Sequence, residues 1–566
     1  MLRVVKALGG RIVRSKARRL SRRFFVETQD CRQAQADVLR RLFSLNAGCR
    51  FYRDYGLTAR SSVTDLRRQV PISDYGAVAG YIDALKSGDW SALCGPNNPV
   101  HMFALSSGTT GDTKFIPITR EFIKGYRRGW TVWGINVFDD HPGLNQLRIL
   151  QLASDHDRFR TSAGIPCGNI SGLVQRMQSR FLRFKYTLPA ALLQIREPAA
   201  KAYTLLRLAL ADRHVGLMMT ANPSTLVQLA RTMDRHRDSL LRDIHNGTLA
   251  VTGELRPAVR DALIPQFHRP NPARARELAR GIDRCGTLRP QDVWPSLGVL
   301  GVWTGGSAAA YLPAVREAYG DVAVRDHGLS ASEGRMTIPF ADGTPAGVLD
   351  VGTHFFEFIP EEQIEQPQPD TLLAHELEIG CSYCILLTTA SGLCRYDIRD
   401  VVRCTGHVGT TPLLEFLHKG AHIANVTGEK VTESQVVAAV KSATFRLTLR
   451  LSHYTVAPVW GDPPWYCILC ESRDLPSPGD GARLAALVDL ELQQLNSEYA
   501  EKRTTGRLGD MSPAPLPDGT WAAMIHRRQA QPGGSVEQYK HPCLKPDLDF
   551  AANLLRDSAG IAAKAA

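Results

Sequence analysis

No apolar stretch in this 566-residue sequence approaches the ~20 residues needed to cross a bilayer. The first residues also lack the apolar run and small-residue cleavage site of a secretory signal. Spanning and exported classes are set aside, and the expected setting is soluble and cytoplasmic. There is no internal repeat and no long low-complexity tract. A broad basic surface is missing too, although the net charge is +12. Residues 1–23 hold nine Lys/Arg and no acid, which leaves only +3 for the rest of the chain. A basic stripe of the kind that binds nucleic acid is therefore not supported.

Metal and disulfide frameworks find little support. Twelve cysteines are scattered, and only Cys381/Cys384 and Cys467/Cys470 have CxxC spacing. Their surroundings, CSYCILLTT and WYCILCES, read as strands. Residues three apart on a strand point to opposite faces, so neither pair can easily grip one ion. Buried thiols are expected, with no structural zinc and no disulfides.

What is present is enough chain for more than one domain, since single cores stop growing near about 250–300 residues. The basic arm, residues 1–30, sets Val5, Leu8, Ile12, Leu20 and Phe24 among its cations at near-helical spacing. A solvated helix with its apolar side on the body accounts for this pattern. An anionic membrane surface or an organellar transit segment would use it as well, so peripheral membrane contact is the most the arm implies. Through the first 400 residues, strand-like runs (LRILQLAS, HVGLMMT, LGVLGVWTG) alternate with amphipathic stretches. That alternation predicts an α/β protein of mostly buried sheets flanked by helices, a large domain over 31–418. Beyond HKGA the rhythm changes. TLRLSHYTVAPVW and PPWYCILCES surround one strong helix, ARLAALVDLELQQLNSEYAEKR, and predict a smaller α+β domain over 419–566.

The most informative segment is LSSGTTGDTKFIPIT, Leu105 to Thr119. Phosphate oxygens need many donors close by. Glycines let backbone N–H groups approach, hydroxyls add donors and lysine adds charge. Ser106, Ser107, Gly108, Thr109, Thr110, Gly111 and Lys114 supply all three, and an apolar strand comes next. A Walker A loop cannot be aligned here, so the expectation is a different phosphate loop that takes ATP.

Further segments appear in order: VPISDYGAVAGYIDALKSGDWSAL, VWTGGSAAAYLP (302–313), LSASEGR (329–335), GLCRYDIRDVVR (392–403), LNSEYAEKR (495–503), GTW (519–521) and EQYKHP (537–542). With SSGTTG and KFIPIT, this series resembles the Gretchen Hagen (auxin-responsive promoter) acyl acid amido synthetase family. That family lies within the adenylating superfamily of acyl-CoA ligases and luciferases. The resemblance runs from about Val70 to about Pro542 and implies activation of a small-molecule carboxylic acid with ATP and Mg²⁺. Transfer of the acyl group to an amino acid or other amine would complete the reaction. Transfer to coenzyme A, and a non-catalytic nucleotide-binding homologue, are the alternatives.

The resemblance also implies roles. Ser106 to Gly111 with Lys114 would hold the β- and γ-phosphates, Ser332 would touch phosphate oxygen, and Glu333 would hold Mg²⁺ as a hard oxygen ligand. Gly305, Gly306 and Ser307 would let adenine lie against the backbone. Asp400 would accept from both ribose hydroxyls. Lys419 would be the basic residue after the domain hinge. Lys540 would enter from a mobile small domain to bridge carboxylate and α-phosphate. Structural alternatives stand beside these: a surface or helix-capping role for Glu333, and pairing of Asp400 with Arg395, Arg399 or Arg403. Leu329 stands where the family usually has tyrosine, Arg399 where it has glycine, Cys394 where it has tyrosine and Cys543 where it often has arginine; a basic residue is frequent at the position of Asp397. His156, in SDHD, reads as a structural hydrogen bonder. Residues 156–184 and the adjoining RFLRFKYTLPAALLQI region are the expected acyl-pocket walls.

Overall fold

The structure, a computed structural model, describes residues 2–107, 113–153, 155–177, 183–364, 366, 368–420, 423–424, 426–427, 429, 431–504, 506–529 and 541–565. By internal contacts the chain forms two compact units. The first comprises residues 1–304, 311–398 and 403–415; the second comprises 305–310, 399–402 and 416–566.

Three of the strand-like runs meet in one sheet of the first unit. Arg148–Gln151, Val215–Met219, Val299–Gly301 and Ala323–Arg325 lie side by side, all parallel. Both faces are buried, which is why the runs are almost continuously apolar. Alternation still sorts the residues. Leu150, Met218 and Leu300 enter a core with Leu206, Leu226 and Trp294, whereas Ile149, Leu217 and Val299 enter another with Val132, Trp133 and Phe24.

That second core accounts for the basic arm. The N-terminal helix, Leu2–Glu27, buries Phe24 and sets Phe25 4.8 Å from the Phe340 ring. Arg14 and Arg18 pair with Asp139 of the long helix Arg120–Asp140 at 3.2 and 2.8 Å. Along its described side chains the helix thus turns Phe24 toward the body and leaves Lys16, Arg18, Arg19, Arg22 and Arg23 exposed. No helix among the described residues is long and apolar enough to cross a membrane.

Two further sheets of the chain carry site residues. Strands Val100–Ser107 and Thr113–Thr119 form an antiparallel hairpin with Ser106 opposite Lys114, and the intervening residues lie outside the described ones. A seven-stranded sheet includes Phe355–Pro360, Ser382–Thr388, Tyr396–Val408 and Thr411–Lys419. The segment before the Tyr75–Lys86 helix docks on this sheet: Ser73 N–H donates to Arg395 O at 3.3 Å and Asp397 N–H to Ser73 O at 2.8 Å.

In the second unit, Tyr454–Val459 pairs antiparallel with Trp465–Glu471, which pairs parallel with Ser512–Leu516. Cys467 and Cys470 enter cores on opposite sides of this sheet, as strand geometry requires. Burial pushes both thiols up to about 12. The expected single helix divides into Asp480–Leu495 and Ser497–Thr504. Asn496 is extended at the break, and its side chain accepts the Tyr499 N–H at 2.9 Å. Asparagine competes for backbone donors in this way, so it caps the second helix instead of continuing the first.

Candidate functional site

The segment expected to hold phosphate lies between the two paired strands Val100–Ser107 and Thr113–Thr119. Gly108, Thr109, Thr110 and Gly111 lie outside the described residues, but the arms beside them are set: Ser107 faces Thr113 and Ser106 faces Lys114. The Lys114 ammonium stands 5.7 Å from the centre of the Tyr75 ring. The Tyr75 hydroxyl accepts the Phe115 N–H at 3.0 Å, which ties the docked segment to the hairpin next to that lysine.

Glu333 is neither a surface carboxylate nor a helix cap. Only 7% exposed, it sits in a tight turn closed by Ala331 N–H to Gly334 O at 2.8 Å, with Ser332 beside it. Glycine is needed at 334, because a Cβ there would meet His354 Nε2 at 2.9 Å. The Tyr396 phenol is raised above its ordinary range, by burial first and then by the charges of Glu333 and Asp74. Its hydroxyl is buried and makes no hydrogen bond. Lys114 and Glu333 therefore flank a pair of tyrosines, Tyr75 and Tyr396, that sequence reasoning did not single out.

Beyond the turn, Arg335 is fully buried and lies over the Trp130 ring at 4.4 Å. Gly129 makes room, since a Cβ there would stand 2.6 Å from Arg335 Cδ. The rings of Trp130 and Trp303 flank His327 at 5.7 and 6.2 Å. Burial lowers Arg335 to about 10, and its Nε and Nη1 make no hydrogen bond. Asp326 anchors the end of the VWT strand: Thr304 N–H and Oγ1 donate to its carboxylate at 2.6 Å, as does Gly328 N–H. Burial raises that carboxyl to about 6, against these hydrogen bonds. The only signal for these residues in the sequence is proximity: Asp326 lies three residues before LSASEGR and Arg335 ends it.

The second unit gathers the positions assigned to the nucleoside. Gly306 has φ +56°, and a Cβ there would meet Phe416 at 2.9 Å, so only glycine allows this approach. Gly305 precedes it, and Ser307 lies in the short helical turn Gly306–Tyr311. Asp400 is 4% exposed on its strand. Of the arginines weighed as its partners, Arg395 pairs with Glu357 at 3.0 Å and Arg403 with Glu415 at 2.9 Å. Arg399 adopts φ +59°, a left-handed conformation that favours glycine over a residue with a side chain. Lys419 ends the Thr411–Lys419 strand, whose next residue donates from Gly420 N to Arg399 O at 2.7 Å. Lys540 lies outside the described residues. The segment just after it is held firmly: Val456 N–H donates to Cys543 O at 2.8 Å, Lys545 N–H to Val456 O at 2.9 Å, and Cys543 N–H to Glu433 at 2.6 Å.

His156 is nearly buried with Nδ1 3.5 Å from Asp155, the structural role expected of it. Among the described residues no three His, Cys, Asp or Glu side chains gather as a metal cage. A lone buried carboxylate such as Glu333 still fits Mg²⁺, which uses one or two carboxylates together with substrate phosphates.

The fold and the motif series define an acid-activating ligase. Residues 21–324 match the GH3 family N-terminal domain, 347–419 the GH3 family central domain and 434–548 the GH3 family C-terminal domain. The chain belongs to the GH3 family. It is 25% identical to a jasmonoyl–L-amino acid synthetase, GH3.5, of Oryza sativa subsp. japonica, covering 92% of this chain and 93% of that one. It is 23% identical to the indole-3-acetic acid-amido synthetase GH3.3 of Arabidopsis thaliana, covering 92% and 90%. The solved structure of the GH3.15 acyl acid amido synthetase superposes with a TM-score of 0.82 at 21% identity, covering 94% of each chain.

Proposed function

We infer that this enzyme activates a small-molecule carboxylic acid with ATP and transfers the acyl group to an amino acid or other amine. The observation that carries this is the run of three GH3 domains in order along one chain. In the first half-reaction a substrate carboxylate oxygen bonds to the α-phosphorus and pyrophosphate leaves. In the second, the amine nitrogen bonds to the acyl carbon, AMP leaves and the nitrogen loses a proton. Positioning and charge stabilisation supply most of the catalysis in such steps. Lys114 and the Ser106–Gly111 donors offset charge on the departing phosphates, with Ser332 adding a hydroxyl. Buried Asp400 accepts from the ribose hydroxyls, and the Gly305–Ser307 backbone takes adenine. Glu333 would hold Mg²⁺, which when bound would supply further positive charge at the phosphates. Lys540 bridges carboxylate and α-phosphate in the first half-reaction only.

Acid-dependent pyrophosphate release across aryl, indolyl and fatty acids tests activation, with hydroxylamine trapping the activated acyl group. Separate reactions with amino acids and with coenzyme A assign the acceptor. Pyrophosphate release with amide formation is the expected result; a thioester in place of the amide, or no acid-dependent release at all, would sink the assignment.

A further inference from the structure

Two adjoining cavities of about 510 Å³ each open between the N-terminal helix and the Arg120–Asp140 helix, sharing Leu20, Lys124 and Arg128 in their walls. One extends to His101, Arg120 and Arg127, the other to Arg23, Arg41 and His354. Each volume is in the range of ordinary ligand pockets. The cleft lies at the far end of the hairpin from the phosphate loop, because Val100 pairs with Thr119 at one end and Ser107 with Thr113 at the other. At about 3.4 Å per residue the two ends are roughly 20 Å apart.

The acids facing this cleft are already engaged. Glu27 holds Arg23 at 2.9 Å and also Arg128, Glu121 holds Lys124, and Asp350 stands 3.6 Å from Arg128. Arg41 donates to the Gly352 carbonyl at 2.9 Å. Among the described residues, no ion pair engages Arg41, Arg120 or Arg127. Six cations thus line a recess whose walls include one carboxylate, Glu121, while Glu27 and Asp350 pair with its arginines from behind the lining. The Arg41 guanidinium is held below its usual range, by its burial first and by Arg128 next. Guanidinium groups crowded into a concavity repel one another, and a multiply charged anion relieves that repulsion. Arginine forks match phosphoryl oxygens in particular. The cations line concave walls, so a compact ligand fits them better than a flat bilayer does. Phe122 and Leu42 leave an apolar floor beside them.

We propose that this cleft binds a small anion carrying two or more phosphoryl groups, at a site separate from the adenylation site. Isothermal titration of the full chain with tripolyphosphate tests it. Wild type should show two classes of site. Arg41→Ala/Arg127→Ala should lose one of them, by about tenfold for each charge-assisted contact removed, while acid-dependent pyrophosphate release stays at the wild-type rate. Lys114→Ala should weaken the other class. Binding that is lost entirely in Lys114→Ala, or that is unchanged in Arg41→Ala/Arg127→Ala, would overturn the proposal, as would loss of pyrophosphate release in the double variant. Arg120→Gln with Arg127→Gln, at exposed positions, repeats the test with less disturbance of packing. Co-sedimentation with phosphatidylserine vesicles, abolished by the same substitutions but not competed by tripolyphosphate, would assign the cleft to a membrane surface instead.

Discussion

In the second unit, buried Asp489 accepts from the Tyr499 hydroxyl at 2.5 Å and from Arg503 at 2.9 Å. Buried Glu429 there accepts from Val426 N–H, Thr427 N–H and the Tyr466 hydroxyl. The corner around Glu333 in the first unit is built the other way. Arg335 Nε and Nη1, Asp350 Oδ1, His354 Nδ1 and the Tyr396 hydroxyl are all buried without a hydrogen bond. Satisfied polar networks rigidify a fold, whereas unsatisfied buried groups cost free energy and persist where function holds them. The contrast sets a corner whose buried polar groups are left partly unsatisfied against networks that are closed.

The largest effect expected is on Lys540, which by the proposed function would bridge carboxylate and α-phosphate during adenylation. Lys540→Ala should slow adenylate formation by about 10²–10³, as loss of an oxyanion-type stabiliser does, yet still convert a supplied acyl-adenylate. Single-turnover assays of the two half-reactions decide it; equal losses in both would make the residue structural.

A sharper test sets Asp489 against Arg335. Asp489→Ala leaves buried partners unpaired and should cost about 3–5 kcal/mol in denaturant unfolding with little change in the chemical step. Arg335→Met removes a buried cation that forms no ion pair among the described residues though it stands in the field of Asp326 and Asp350, so its cost should be smaller than that of Asp489→Ala while turnover falls at least tenfold. Equal destabilisation by the two substitutions would erase the contrast.

Acid should find the same corner. Burial holds His354 down to about 4, below the ordinary 6.5. Between those values the unfolded chain binds a proton that the folded chain refuses. The contribution is therefore complete above pH 6.5 and lost as pH falls toward 4, about 3 kcal/mol in all. Asp326, raised to about 6, works in the opposite sense and gains as pH falls through 6. Lowering the pH from 7 to 5 should thus destabilise His354→Gln less than wild type, since the opposing gain at Asp326 remains. A parallel pH dependence would place the acid sensitivity elsewhere.

The smallest effect concerns Arg399 at φ +59°. Arg399→Gly removes a left-handed strain of about 1 kcal/mol and adds unfolded-state entropy of similar size. Thermal stability should stay within about 1 kcal/mol of wild type; a larger fall would show that the arginine side chain is a needed contact.

Much of this was legible in the linear chain because it is local. Periodicity placed the parallel strands, and alternation put Cys467 and Cys470 on opposite faces. The one helix misjudged, across Asn496, failed because a capping side chain competes with helix continuation over a single residue. The corner residues were harder to see. Tyr75, Arg335 and Tyr396 are ordinary in sequence, and their meaning depends on neighbours far along the chain.

Composition, short-range pattern and the ordered motifs determined the fold class, the family and the residues nominated for ATP, since each depends on spacings of a few residues. Only the tertiary structure decided which charges are buried and which of those have partners. Gln35 bonds the carbonyl of His354, 319 residues away, and the basic cleft joins three helices whose cations look like solvated faces when read singly. Burial and electrostatic partnership are sums over all neighbours in space, and no local window of sequence contains them.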